Sequence, residues 1–167
     1  MNRILTGCAC ILLAILSAQC SGPYRTENDR DETIIVGKVD RSLFDKSDFP
    51  WFREEYQRYT PQSTILDTIR GRSDTLSVIV FLGTWCKDTH RELPRFLKII
   101  ETEKLPIRIL EFHALNRKKE SGDILPVAYG IRYVPTFVFI KNGTETGRII
   151  ETPKKSLEAD IVEIVGK

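Results

Sequence analysis

One cysteine in the body of the chain has the residue type that nucleophilic or redox chemistry needs. The sequence has 167 residues and four Cys, and only Cys86 lies outside the first twenty residues. A cysteine attacks disulfides as its thiolate, so its surroundings decide whether it reacts or stays inert in a core. His90 follows four residues later, but two ligands fall short of the about four that a structural metal site uses. We therefore predict thiol chemistry at Cys86 and no metal site; a buried, inert Cys is the alternative.

The pattern around Cys86 places the thiol between a buried strand and an amphipathic helix. Residues 76–82 form an apolar, β-branched run that is typical of a central sheet strand. Apolar residues then recur at helical spacing between positions 93 and 100. A thiol at a helix N-terminus faces unpaired backbone N–H groups and the positive end of the helix dipole, and both favour the thiolate. Lys87 is expected to tune this ionisation further by adding positive charge beside the sulfur, which Asp88 opposes.

The rest of the pattern predicts a single α/β domain built around that strand. Asn142-Gly143 is a strong hairpin turn signal between two short apolar runs. One helix is expected to begin near Pro50, and an amphipathic helix near residues 157–165 closes the domain. We expect a central mixed sheet with helices on both faces, its strands lying near residues 34–39, 76–82, 107–112, 137–140 and 147–150.

The N-terminal segment has the composition of an export signal. Residues 1–20 hold Arg3 before an uncharged apolar run that is shorter than the about 20 residues of a membrane-spanning helix. The stretch that ends at Cys20 resembles the lipobox of bacterial lipoproteins, in which this Cys becomes lipidated. We expect a lipid-anchored protein of the cell envelope that faces the periplasm, with a flexible tether over residues 21–32 and the folded domain over residues 33–167. A soluble periplasmic or secreted protein and an uncleaved anchor are the alternatives.

Composition excludes several other classes of function. Lys and Arg number 25 against 23 Asp and Glu, so the formal net charge is only +2. This balance lacks the strong excess of basic residues that is typical of nucleic-acid-binding domains. No Gly-rich phosphate loop, Ser-His-Asp set or pair of carboxylates stands out in the pattern, and we predict no cofactor. The basic run at residues 117–119 is expected to be a solvated loop.

Several motifs follow one another in the second half of the chain: Trp85-Cys86-Lys87-Asp88-Thr89, Pro94, residues 130–136 and residues 141–143. In this order and spacing they resemble thioredoxin, from about Thr75 to Lys167. The resemblance implies a thioredoxin-like fold, in which Pro94 kinks the active-site helix and Pro135 is the cis-proline beside the catalytic Cys. It also implies that Val134 presents backbone N–H and C=O groups to an extended client peptide.

The same resemblance assigns the aromatic residues around the thiol. Trp85 is expected to lie at the edge of the core and to form a wall of the client groove. Tyr133, which precedes Val134, is expected to flank that groove.

Two departures from the thioredoxin pattern bear on mechanism. Thr89 stands where dithiol thioredoxins carry a second, resolving Cys, and Val80 stands where they often hold a buried Asp. A self-contained dithiol cycle is therefore excluded, because Thr89 cannot attack a mixed disulfide. Release of a client from Cys86 then needs a second client Cys, or a low-molecular-weight or protein thiol. Thr89 either donates a hydrogen bond to the thiolate or is an ordinary residue of the first helical turn.

The function that these features favour is thiol–disulfide exchange through a single nucleophilic Cys86. Monothiol exchange, isomerisation and the trapping of client proteins that carry Cys or disulfides all fit this chemistry. The alternative is a non-catalytic module of the same fold, which holds peptides or partner proteins in the groove beside Pro135.

Overall fold

A computed structural model of the protein describes residues 24–30, 32–70, 76–105 and 107–166. Within these ranges the chain forms a six-stranded sheet with the order β1-β2-β4-β3-β5-β6. The strands are β1 (Tyr24–Asp29), β2 (Glu32–Val39), β3 (Leu76–Leu82), β4 (Ile107–Ala114), β5 (Thr136–Lys141) and β6 (Thr144–Ile150). The helices are a 3-10 helix (Arg41–Asp45), α1 (Pro50–Arg58), α2 (Ser63–Leu66), α3 (Lys87–Glu103), α4 (Leu125–Ala128) and α5 (Leu157–Val165). The predicted α/β class is confirmed.

Strand β3 lies in the interior of the sheet and leads directly to the thiol. It pairs in parallel with β4 and antiparallel with β5, so the sheet is mixed as predicted. Val78 and Val80 are fully buried on one face of β3, and Phe81 is fully buried on the other. A strand that is covered on both faces requires a continuous apolar sequence, which is why the run at residues 76–82 is so clear a signal.

Each face of the sheet has its own apolar cluster, because successive side chains of a strand point to opposite faces. On one face, α1, α3 and α5 cover a large cluster whose aromatic residues include Phe96 and Phe137, with tilted rings whose centroids are 4.5 Å apart. The other face has a smaller cluster, against which Trp85, Cys86 and Leu125 of α4 pack. The smaller cluster consists of Phe81, Leu115, Ile131, Val134 and Val138. The thiol is therefore positioned by the smaller cluster.

Three local predictions agree with the backbone. Asn142 and Gly143 have φ values of 52° and 78°, as a two-residue hairpin turn between β5 and β6 requires. Pro50 occupies the first turn of α1, where its missing N–H leaves no hydrogen bond unmade. Pro94 lies inside α3, as the resemblance implies.

The prediction of a flexible tether over residues 21–32 is wrong for the part that the structure describes. β1 pairs antiparallel with β2 along its whole length, from Tyr24 opposite Gly37 to Asp29 opposite Glu32. The folded domain thus begins before residue 33. β1 is a polar edge strand held by backbone pairing and by ion pairs such as Arg117 with Asp29, at 2.9 Å. A polar edge strand of this kind has no apolar periodicity, so the apolar pattern of the sequence does not mark it as part of the domain.

The predicted export signal at residues 1–20 and the lipidation candidate Cys20 lie outside the described ranges. Among the helices of those ranges, none combines the length and the apolar character that crossing a bilayer requires.

Candidate active site

Cys86 lies at the junction between β3 and α3, as its sequence position predicts. It is the N-cap residue of α3, with extended backbone angles, and its own N–H donates to the carbonyl of Gly83 at 2.9 Å. Its side chain makes no capping hydrogen bond and is half-buried. The sulfur therefore stands at the positive end of a helix that begins at Lys87 and remains accessible from one side.

The thiol of Cys86 donates to the backbone carbonyl of Val134, with the sulfur 3.1 Å from the oxygen. The Val134–Pro135 peptide bond is cis, as the resemblance implies. These residues are 48 positions apart in sequence, and β3 and β5 bring them together by pairing side by side. The carbonyl of Pro135 in turn accepts from the N–H of Glu151 at 2.7 Å, which ties this segment to the end of β6. A backbone carbonyl of the segment that leads into β5 thus lies directly beside the sulfur.

Trp85 forms a partly buried wall next to the thiol. Its indole Nε1 donates to the carbonyl of Leu115 at 2.9 Å, and its ring packs against the smaller apolar cluster. Gly83 makes room for this ring, because a Cβ atom at Gly83 would lie 2.7 Å from Cε2 of Trp85. Tyr133, which directly precedes Val134, is 53% exposed and presents an accessible aromatic surface.

We expect Gly83→Ala to displace the Trp85 ring and to lower the free energy of unfolding by about 1–3 kcal/mol, as overpacking does elsewhere. The ring cannot yield freely, since its Nε1 is bonded to Leu115. Urea unfolding of the single and double variants with Trp85→Phe measures the effect. Because Phe lacks the indole atoms that the new methyl would meet, the cost of Gly83→Ala should shrink in the Trp85→Phe background. An equal cost in both backgrounds would place the clash elsewhere.

Thr89 is fully buried, and its hydroxyl faces the backbone of the β3–α3 junction. Its Oγ1 accepts from the N–H of Gly83 at 3.3 Å. Among the described residues, no hydrogen bond joins this hydroxyl to the sulfur of Cys86. Of the two roles considered for Thr89, the structure favours the residue of the first helical turn, with the added task of satisfying a buried amide.

Lys87 and Asp88, the charged neighbours of Cys86, differ in their environment. Lys87 is exposed, whereas Asp88 forms an ion pair with Arg91 at 2.9 Å. Hydrogen bonding to Glu92 raises the pKa of Arg91, and the charges of Glu92 and Asp88 act in the same direction. Because Asp88 is paired with Arg91, its negative charge offsets less of the positive charge of Lys87 than the sequence alone indicates.

His90 is held by contacts with two neighbouring residues. Its ring stacks on Trp51 with centroids 4.3 Å apart, and its Nε2 lies 2.6 Å from the carbonyl oxygen of Thr84. In the part of the chain that the structure describes, no three His, Cys, Asp or Glu side chains form a group that could hold a metal ion.

The basic run at residues 117–119 is predicted from sequence to be a solvated loop, but two of its side chains make tertiary contacts. The guanidinium carbon of Arg117 lies 4.7 Å from the centre of the Trp85 ring, and the ammonium of Lys119 lies 4.9 Å from it. Arg117 also forms ion pairs with Asp29 at 2.9 Å and with Glu32 at 2.7 Å, both in the β1–β2 hairpin. Nothing in the local sequence indicates this contact, because it depends on where the loop after β4 folds back.

Three comparisons with known proteins bear on the family. A thioredoxin-like protein of Acanthamoeba polyphaga mimivirus is 33% identical over 91 residues, which is 54% of this chain and 64% of that protein. The chain therefore spans less than two thirds of that relative. A solved protein of unknown function from Pseudomonas aeruginosa has a TM-score of 0.55 at 15% identity, over 77% of this chain and 88% of its own. This second likeness shows the fold alone.

The family model named Thioredoxin matches residues 60–163, which is more than half of the chain and includes the β3–α3 junction, Cys86 and the Val134–Pro135 segment. The chain belongs to the thioredoxin family.

Proposed function

We propose that the protein is an exported thiol–disulfide exchange protein that acts through the single nucleophile Cys86. Membership of the thioredoxin family supports a thiol–disulfide type of function in general. The observation that carries the specific proposal is the sulfur of the half-buried residue Cys86, which stands at the N-terminal end of α3 and lies 3.1 Å from the carbonyl oxygen of Val134. A client disulfide laid along the segment at Val134 would lie within reach of the thiolate.

The proposed reaction has two exchange steps. The Cys86 thiolate attacks one sulfur of a client disulfide, so the client S–S bond breaks, a mixed disulfide forms and one client thiolate leaves. A second client thiolate then attacks the mixed disulfide and gives an isomerised client, or an outside thiol attacks it. In the first case Cys86 leaves as a thiolate while a new client disulfide forms. In the second case the outside thiol attacks the sulfur of Cys86, so the client leaves as a thiolate and the outside thiol forms a disulfide with Cys86. A second molecule of the thiol attacks that disulfide, Cys86 returns as a thiolate, and the two thiol molecules leave joined as a disulfide, having supplied the two electrons that reduce the client.

Capture of a mixed disulfide tests this proposal directly. The purified protein is incubated with a short peptide disulfide, and the product is digested and analysed by mass spectrometry. The proposal expects one peptide half on Cys86 and an equal amount of the other half released as free thiol. A protein that binds the peptide without forming this adduct would fit the second candidate function instead.

That second candidate is a non-catalytic binding module. The residue at position 89 favours this candidate, because Thr89 provides no resolving thiol in the first turn of α3. Its buried hydroxyl instead accepts a hydrogen bond from the N–H of Gly83. In that case the groove beside Pro135 would hold partner segments without turnover.

We further propose that Cys20 is lipidated and anchors the protein to the cell envelope. The support is the apolar run before Cys20 and the lipobox-like residues that end there. When the chain is expressed in a Gram-negative bacterium, we expect the protein to partition into the detergent phase, and Cys20→Ser to move it to the aqueous phase or leave it unprocessed. Cys8→Ser is the matched control and should behave like the parent. An aqueous parent would support a soluble exported protein.

A further inference from the structure

Four basic residues lie on the segments that meet at the thiol; we call them the cationic rim, and they are Lys87, Arg117, Lys119 and Arg132. Arg117 and Lys119 lie over the ring of Trp85, the residue before Cys86, at 4.7 and 4.9 Å from its centre. Lys87 is exposed and directly follows Cys86 in sequence. Arg132 is exposed two residues before Val134, whose carbonyl contacts the sulfur. The rim residues thus come from the start of α3, from the loop after β4 and from the segment before β5.

Two members of the rim combine exposure with the absence of an acidic partner. Within the described ranges, neither Lys87 nor Arg132 has a carboxylate within the 4.0 Å of a salt bridge. The nearby Asp88 is paired with Arg91. An exposed, unpaired cation attracts a ligand anion without first having to break an internal ion pair.

Lys119 is the third unpaired member and the one nearest the Trp85 wall. Its ammonium donates to the carbonyl of Arg117 at 3.0 Å, which orients the side chain over the ring without neutralising its charge. Arg117 itself is held by Asp29 and Glu32, so it acts mainly to support the loop. Three of the four rim cations therefore have no carboxylate partner among the described residues, in a chain whose formal net charge is only +2.

We propose that the cationic rim makes the protein selective for clients whose reactive disulfide is flanked by acidic residues. This inference rests on the proposed exchange function and adds the client class. An extended client segment on Val134 would carry its neighbouring side chains past Tyr133, Trp85 and the rim. Carboxylates at those positions would raise the rate of encounter and lengthen the contact, and salt would screen both effects.

Matched peptide disulfides test the inference on the purified full chain. Three peptides share one disulfide and differ only in their flanks, which are Asp and Glu, Ser and Gln, or Lys. We expect the mixed disulfide at Cys86 to form about fivefold faster with the acidic than with the neutral peptide at low salt, and slowest with the basic one. At about 0.5 M salt the three rates should converge.

Variants locate the effect in the rim. Lys119→Gln and Arg132→Gln should each reduce the ratio of acidic to neutral rates about twofold. Lys98→Gln is the matched control. Like Lys119, Lys98 contacts a backbone carbonyl, that of Gln57 at 3.3 Å, and an aromatic ring, that of Tyr56 at 5.5 Å. It lies about 18 Å from Cys86 along the axis of α3. It should leave the ratio unchanged.

The outcomes separate this inference from the function on which it rests. Equal rates for all three peptides, with the adduct still on Cys86, would overturn the acidic selectivity and leave thiol exchange standing. A ratio that Lys98→Gln lowers as much as Lys119→Gln would overturn the role of the rim. No adduct with any peptide would overturn the exchange function and the selectivity together.

Discussion

Replacing Cys86 with Ser is expected to abolish disulfide exchange, lowering the rate to the background that the reducing agent alone gives. A hydroxyl is not ionised near neutral pH and forms no disulfide, so neither exchange step remains. The fold should be retained, because Ser has nearly the same shape and can donate to the Val134 carbonyl that the thiol now contacts. We expect unfolding free energies within about 1 kcal/mol of each other. Reactivation of a scrambled disulfide protein in the presence of a small thiol measures the rate.

The controls for this variant follow from the cysteine positions. Cys20→Ser removes a cysteine outside the site and should exchange like the parent. If Cys86→Ser remained as active as the parent while folded, the account of a single nucleophile would be wrong. If it lost exchange but still bound reduced clients, capture and binding would be separable functions of the same groove.

Thr89→Cys is expected to convert the protein into a faster reductase. The introduced thiol would stand one turn into α3, where it can attack the mixed disulfide at Cys86, release the client and leave an internal disulfide. With excess dithiothreitol to reduce that bond, we expect turnover of a model disulfide to rise about tenfold or more, since release no longer waits for an outside thiol. Turnover of insulin or of a fluorescent peptide disulfide provides the measurement.

The buried position of Thr89 sets a cost on this change. Sulfur is a weak acceptor, so the N–H of Gly83 loses most of its hydrogen bond, at about 1–3 kcal/mol of unfolding free energy. Thr89→Val has the same loss without a thiol and is therefore the matched control. Thr89→Cys should exceed both the parent and Thr89→Val in turnover. If all three had the same turnover, the groove would not support resolution by a second thiol.

The position of the thiol could be predicted from sequence because its signals are local or short in range. The apolar run at residues 76–82 requires a strand that is buried on both faces, and the spacing after it requires a helix, so Cys86 must lie between them. The Asn142-Gly143 turn is equally local. The contact between Cys86 and Val134 is not local, and only the resemblance to a known family supplied it.

The parts that the sequence could not predict depend on tertiary contacts of polar residues. β1 has no apolar periodicity, and it is ordered by pairing with β2 and by the ion pairs of Arg117. The sequence around Arg117 and Lys119 has the pattern of a solvated basic run, although both side chains lie over the ring of Trp85 in the structure. The sequence allows two roles for Thr89, because the orientation of a hydroxyl is decided by neighbours such as Gly83 rather than by spacing.

The alkylation rate of Cys86 in the native protein shows whether its thiol is a reactive nucleophile. The purified protein is treated with iodoacetamide at neutral pH, and mass spectrometry of the digested chain measures the label at Cys86 separately from the other cysteines. We expect Cys86 to be alkylated faster than a free model thiol under the same conditions, and faster in the folded protein than in urea. Labelling that is slower than the model thiol, or that begins only on unfolding, would mean that Cys86 is a structural cysteine and not a nucleophile.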